Sequence, residues 1–201
     1  PLLGNFLKEN TMKKYLIALG LSAAFSGFAN AETYNLEPTH SYVEFHYNHM
    51  GYSNPSGKWY ATGTINFESK EIAKSSANIT IAVGDIVTGI PKLDEHLKSG
   101  MFFDVKKYPT AKFVGDKVSN IQGNQFDLNG QLTVHGVTKP VTLHVTQNKL
   151  APNPMNDIQT AGFSATASIK RSDFGIANYV PAVSDEINLN IEVEAQLAAK
   201  K

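Results

Sequence analysis

Six histidines, at positions 40, 46, 49, 96, 135 and 144, are the residues of this 201-residue chain best suited to bind a metal or move a proton. Their spacing argues against both. His46 and His49 stand three apart on a predicted strand, so they point to opposite faces and cannot chelate as a local pair. His46 and His144 fall on the solvent-facing parity of their strands and read as surface residues. There is no His-Glu-x-x-His, no cysteine and no Asp-rich calcium loop, so no metal site is predicted. Nucleophilic chemistry is as poorly served. No Gly-x-Ser-x-Gly elbow occurs, and His40-Ser41 are sequence neighbours without a supporting third group. Phosphate-cradling glycine loops are absent. The adjacent carboxylates Asp94-Glu95 and Asp185-Glu186 suit capping or a solvated edge better than acid–base work. No catalytic residue is assigned on these grounds, and the reading is of a non-enzyme.

The elements that would position these residues are almost all strands. Apolar residues recur with period two, as on strands buried on one face. Val43, Phe45 and Tyr47 alternate with Glu44 and His46, and Ile79, Ile81 and Val83 with Thr80 and Ala82. The same pattern runs through Phe126 to Val134, Val141 to Val145, Phe163 to Ile169 and Ile187 to Leu197. With Trp59 to Phe67 and Thr110 to Val118, about eight strands are predicted, separated by Gly-, Asn- and Pro-containing turns. One-sided burial argues for antiparallel neighbours. The strands must then close into a barrel or stack as two sheets. Ala61, Gly63, Gly130, Ala165 and Ala167 lie on the apolar parity and are small. Either the interior is incompletely filled, or these positions fit a barrel taper or a tight sheet contact.

Composition narrows the setting. Met12-Lys13-Lys14, the apolar run Tyr15 to Phe25 and Ala29-Asn30-Ala31 form the three parts of a secretory signal peptide. Residues 12–31 are assigned to it, residues 1–11 to an upstream or artefactual segment, and residues 32–201 to one domain. The apolar run is too short to span a bilayer comfortably, so the chain is not read as membrane-spanning. Without residues 1–31 the chain has 15 basic and 17 acidic side chains, which gives no support for nucleic-acid binding. Having no cysteine, the domain relies on its core and not on disulfides.

Taken together, His40-Ser41-Tyr42-Val43-Glu44-Phe45, His49-Met50-Gly51, Asp94-Glu95-His96-Leu97 and Phe102-Phe103-Asp104-Val105 form a recognisable series. It continues with Lys107-Tyr108-Pro109, Gly130 to Val141, Arg171 to Ile176 and Ser184-Asp185-Glu186-Ile187. In order and coverage it resembles the YceI-like family of exported, lipocalin-like, polyisoprenoid-binding proteins, over most of residues 34–197. The resemblance implies an all-β, eight-stranded antiparallel lipocalin-like barrel with a short helix at its mouth. It also implies a periplasmic location and carriage or sequestration of a long amphiphile: a polyisoprenoid, a quinone or a fatty-acid derivative. No cofactor is required beyond that ligand. Many relatives pair, so a homodimer is compatible with the resemblance.

The candidate pocket residues on the apolar parity are Phe45, Tyr47, Phe67, Ile79, Ile81, Val83, Leu132, Leu143 and Phe163. Leu97, Met101, Phe102 and Phe103 are assigned to the rim, beside an amphipathic helix predicted over residues 91–99. Pro91 suits its first turn, Asp94 and Lys98 are candidate i,i+4 partners, and Gly100 suits its stop. Trp59, Phe113 and Phe174 are read as plugs or loop packing, and Arg171 as the partner of Asp173 or Asp185. Against the family pattern, Leu93 replaces a basic residue and Met101 an acidic one, which favours a neutral head group over a pyrophosphate. Two other functions fit the same residues: an enzyme on a lipophilic substrate using His96 and Asp94, or a stress-associated barrel without a ligand.

Overall fold

The structure is a computed structural model that describes residues 31–199. The segments assigned as upstream residues and signal peptide therefore lie, apart from Ala31, outside the described residues. The strands are β1 (Glu32–Leu36), β2 (Tyr42–His46), β3 (Ser56–Phe67), β4 (Ser76–Ala82) and β5 (Thr110–Gln122). They continue with β6 (Gln125–Val134), β7 (Val137–Pro152), β8 (Gln159–Lys170) and β9 (Glu186–Leu197). A helix, α1 (Pro91–Lys98), interrupts the connection from β4 to β5.

All pairings are antiparallel between neighbours, and β1 and β2 both lie between β3 and β9. β1 sets Tyr34 opposite Ile65 and Leu197, and β2 sets Tyr42 opposite Tyr60 and Glu192. They are thus two halves of one broken stave. Pairing of β3 with β4 closes the ring, so the molecule is an eight-stave antiparallel barrel with one short helix. β1 is the strand that alternation did not predict, because it places only Tyr34 and Leu36 inward and is too short to show a period.

Ser41 holds the break in that stave. Its hydroxyl donates to the Glu194 carbonyl at 2.9 Å and accepts the Glu194 N–H at 3.2 Å, standing in for a missing rung of the ladder. The side chain is fully buried there.

One barrel end, the floor, is formed by β1 and the connections β3–β4, β5–β6 and β7–β8. Its core joins Tyr34, Phe67, Phe126, Phe163 and their neighbours, with Phe67 and Phe163 edge to face at 5.2 Å between ring centres. Burial, reinforced by the Glu32 carboxylate accepting its hydroxyl, pushes the Tyr34 phenol up to about 12. The other end, the mouth, carries the β2–β3, β6–β7 and β8–β9 connections and the segment around α1.

Two sequence readings are resolved by backbone geometry. A Cβ at Gly63 would meet the Asn78 carbonyl oxygen at 2.1 Å, and one at Gly130 the Val114 carbonyl oxygen at 2.3 Å. These glycines serve tight sheet contacts, whereas Ala61 and Ala165 face the interior and leave it open. Pro140, the fourth residue of β7, lies inside the strand, yet it is tolerated. It lies before His144, where pairing to β8 begins, so its missing N–H costs no rung on that side.

Candidate functional site

Inside the barrel is a cavity of about 690 Å³, reaching from the floor to the mouth. That volume sits within the roughly 300–1,000 Å³ typical of small-molecule sites. The period-two alternation builds it, since every second residue of each long strand turns inward. Phe45, at the start of the mouth half, and Tyr47 just beyond β2 line it, as do Phe67 at the floor and Ile79 and Ile81 on β4. Val83, Leu132, Leu143 and Phe163 complete the wall residues named from sequence, and Leu97, Phe102 and Phe103 line it near the mouth.

Met101 is the exception. It lies outside the cavity wall, 47% exposed, and its main-chain carbonyl accepts a hydrogen bond from the Asn178 side chain. The tight turn after α1 sends Phe102 and Phe103 inward and leaves Met101 at the surface. Several wall residues were missed: Ile187, Leu189, Ile191 and Val193 of β9 share one inward parity that was visible in the sequence. Trp59, Phe113 and Phe174, read as plugs, are wall residues as well.

The mouth is built on an aromatic frame. Trp59 packs against Phe45 at 4.8 Å and edge-on to Phe103 at 5.3 Å, and its indole N–H donates to the Val83 carbonyl at 3.0 Å. That bond fixes the chain where β4 ends and the α1 segment begins. Leu93 and Leu97 of α1 both face the cavity, so the helix covers an apolar opening as its pattern predicts. Its polar contacts differ from expectation. Lys98 pairs with Glu95 at 3.1 Å, while Asp94 accepts the Thr88 N–H at 2.9 Å and the Thr88 hydroxyl at 2.6 Å. Asp94 lies in the first turn, where it ties the incoming loop to the helix instead of reaching along it. The helix ends on Ser99, whose N–H and hydroxyl both donate to the His96 carbonyl. Gly100 is not among the residues with left-handed backbone.

Polar chemistry on the wall is sparse. Among the described residues, no Asp or Glu lines the cavity. Arg171 reaches the wall, but it donates to the carbonyls of Ser184, Ile176, Asn178 and Val183 at 2.8–2.9 Å. The expected carboxylate partner is thus replaced by loop carbonyls; burial draws the guanidinium below its ordinary pKa, with Asp185 acting against this. Asp185 instead accepts the Ser172 hydroxyl at 2.7 Å and its N–H at 2.8 Å, and the Ser172 bonds lower its pKa. Burial raises the Tyr47 phenol above its ordinary value. His96 packs edge-on against Phe102 at 5.1 Å, and Asp94 is engaged by Thr88, so the two sequence candidates for proton transfer have separate partners. Among the described residues, no three His, Asp or Glu side chains gather into a metal-binding group. Nor, among those residues, is any helix long and apolar enough to cross a membrane.

Comparison with known proteins matches the same region. The YceI-like domain family matches residues 34–195. A UPF0312 protein of Pseudomonas syringae pv. tomato is 35% identical over 190 residues, covering 91% of this chain and 97% of its own. Among solved structures, the YCEI protein of Campylobacter jejuni is 33% identical, with a TM-score of 0.68 over 76% of this chain and 90% of its own. A polyisoprenoid binding domain from Saccharophagus degradans shares the fold at a TM-score of 0.65, with 14% identity, covering 82% of this chain and 98% of its own. On the family match and the extent of these alignments, the chain belongs to the YceI-like domain family.

Proposed function

We propose that this protein is a carrier or sequestering barrel for one long amphiphile, exported to the periplasm, with the ligand's tail along the barrel axis. The observation that carries this reading is the cavity itself: about 690 Å³, walled by apolar side chains from every stave. Each CH₂-sized group buried there contributes about 0.8 kcal/mol. About ten such groups would contribute roughly 8 kcal/mol before immobilisation costs, enough for useful binding without a strong polar anchor. The polyisoprenoid binding domain of Saccharophagus degradans, which shares the fold, supports a ligand of this class.

The head group in this reading is neutral, as in a quinone, a fatty acid in its protonated form or a fatty amide. Arg171 spends its donors on loop carbonyls, and Lys112, the other Lys or Arg beside the wall among the described residues, sits on the outward parity and is exposed. Carriage requires no catalytic group; His49 and His96 reach the wall, and the His96 ring packs on Phe102.

A fluorescent fatty-acid probe whose emission rises in apolar surroundings tests both parts. Prenyl quinones and fatty amides are expected to displace it well, and a polyprenyl pyrophosphate poorly. Failure of the probe to bind would refute the carrier reading. Tight binding of the pyrophosphate, with weak binding of neutral amphiphiles, would refute the neutral head group alone.

A further inference from the structure

Of the twelve large apolar side chains left in solvent among the described residues, seven belong to mouth connections, against three at the floor and two on the outer wall. Met50 is 52% exposed, Tyr52 89%, Tyr179 53% and Met101 47%, and all four belong to mouth connections. Main-chain contacts join the loops that carry them. The Met50 N–H donates to the Ala182 carbonyl at 2.9 Å, and the Ser184 N–H donates to the Asn48 carbonyl at 2.9 Å. Asn178 reaches the Met101 carbonyl, and the Phe102 and Tyr179 rings stack at 6.1 Å. The side chains therefore form one neighbourhood, and the cavity opens beside it, with Met50 and Tyr179 also on the cavity wall.

Residues 48–55 and 174–184 contain no Asp, Glu, Lys or Arg, so the two loop tips carry no formal charge apart from any on His49. The backbone adds an independent sign. Among the described residues, six non-glycine residues have positive φ, and four of them are Asp, Asn or His, which adopt that region readily. The other two are Met50, at 56°, and Tyr179, at 64°. Bulky residues held in a disfavoured conformation gather at functional sites. Both sit at the tips of these paired loops.

We propose that this rim is a docking surface for a lipid bilayer, inserting Met50, Tyr52 and Tyr179 at the headgroup level so that cargo passes between membrane and cavity without crossing water. The proposal rests in part on the carrier reading, because a membrane-soluble cargo is what makes a bilayer the fitting partner. Three features favour a bilayer over a protein. The side chains are on projecting loop tips, two are tyrosines, whose rings suit a membrane–water interface, and the patch continues into an apolar cavity. The charges behind the tips are mixed: Lys92, Lys106 and Lys107 are exposed on the α1 segment, as are Asp85 and Asp173 nearby. Insertion is accordingly driven by apolar contact and not by attraction to anionic lipid.

Flotation of the purified protein with phosphatidylcholine vesicles, with and without phosphatidylglycerol, tests this. The protein should float with both, with little dependence on salt. Replacing Met50→Ser and Tyr52→Ser together should lower partitioning about tenfold or more. Met155→Ser, at a residue 91% exposed on the β7–β8 connection at the floor, should leave it unchanged. Circular dichroism establishes that each variant is folded. An unmodified protein that stays with the soluble fraction overturns the proposal, as does a double variant that floats normally or a Met155→Ser variant that loses as much. Self-association abolished by the double variant, without flotation, would overturn it in favour of a second copy of this chain. Native mass spectrometry of the same samples separates the two readings: flotation without any retained amphiphile defeats the carrier reading and leaves docking standing.

Discussion

At the scale of single residues, the polar side chains that matter most hold the backbone in place. Ser41 is the clearest. Ser41→Ala would leave the Glu194 N–H without the hydroxyl it now donates to, in a fully buried place. A loss of about 1–3 kcal/mol in chemical denaturation is expected. Asp185 has a similar role at the mouth, through Ser172. Its pKa is depressed below 3.8, so its contribution is fully present above that value and is lost as pH falls through the lower folded-state value. Asp185→Asn should therefore be less stable than the parent at neutral pH, and the gap should close in more acidic solution. Thermal unfolding across pH measures it; a gap that persists unchanged at low pH would remove the carboxylate from the account. Neither role was legible as chemistry in the sequence. The sequence offered Ser41 no partner and paired Asp185 with Arg171, because the true partners lie 153 and 13 residues away and are set by how the chain folds back.

Elements were more legible where a period is long enough to be seen. The inward parities of β3 to β9 could be read directly, and they define the cavity wall. β1 was invisible for want of length, and the polar contacts of α1 were mistaken because Thr88 arrives from a loop that spacing along the helix does not register. Met101 stands at the rim but outside the cavity wall, because turn geometry, not periodicity, decides which side chains after α1 face inward. The parity reading has a direct consequence. Ala165, on β8, is small and faces the cavity, so Ala165→Phe should fill space meant for ligand. Binding of an amphiphilic probe should fall at least about tenfold, while overpacking costs no more than about 1–3 kcal/mol of stability. Probe titration beside thermal unfolding checks this; undiminished binding in a folded variant would move the ligand out of the barrel. His96→Ala should likewise leave a bound amphiphile chemically intact after long incubation, as mass spectrometry of the extracted ligand would record. Slower conversion in that variant than in the parent would point to an enzyme.

For the molecule as a whole, one asymmetry organises the account. The floor is closed by a packed aromatic core, and the mouth is framed by Trp59, α1 and two loops whose tips carry no Asp, Glu, Lys or Arg. The family motifs imply the antiparallel barrel, whereas alternation alone leaves both a barrel and a sandwich open. That the interior is a continuous cavity could not be read from residue types, since the same aromatic residues could have filled it. Ring placement on the folded staves decides that. Whether the cavity holds a long amphiphile is decided by native mass spectrometry of the purified protein, before and after organic extraction. A mass increment is expected before extraction, lost afterwards and restored by adding a prenyl quinone or fatty amide. A protein that carries no amphiphile as isolated, and takes up no prenyl, quinone or acyl probe after extraction, would contradict it.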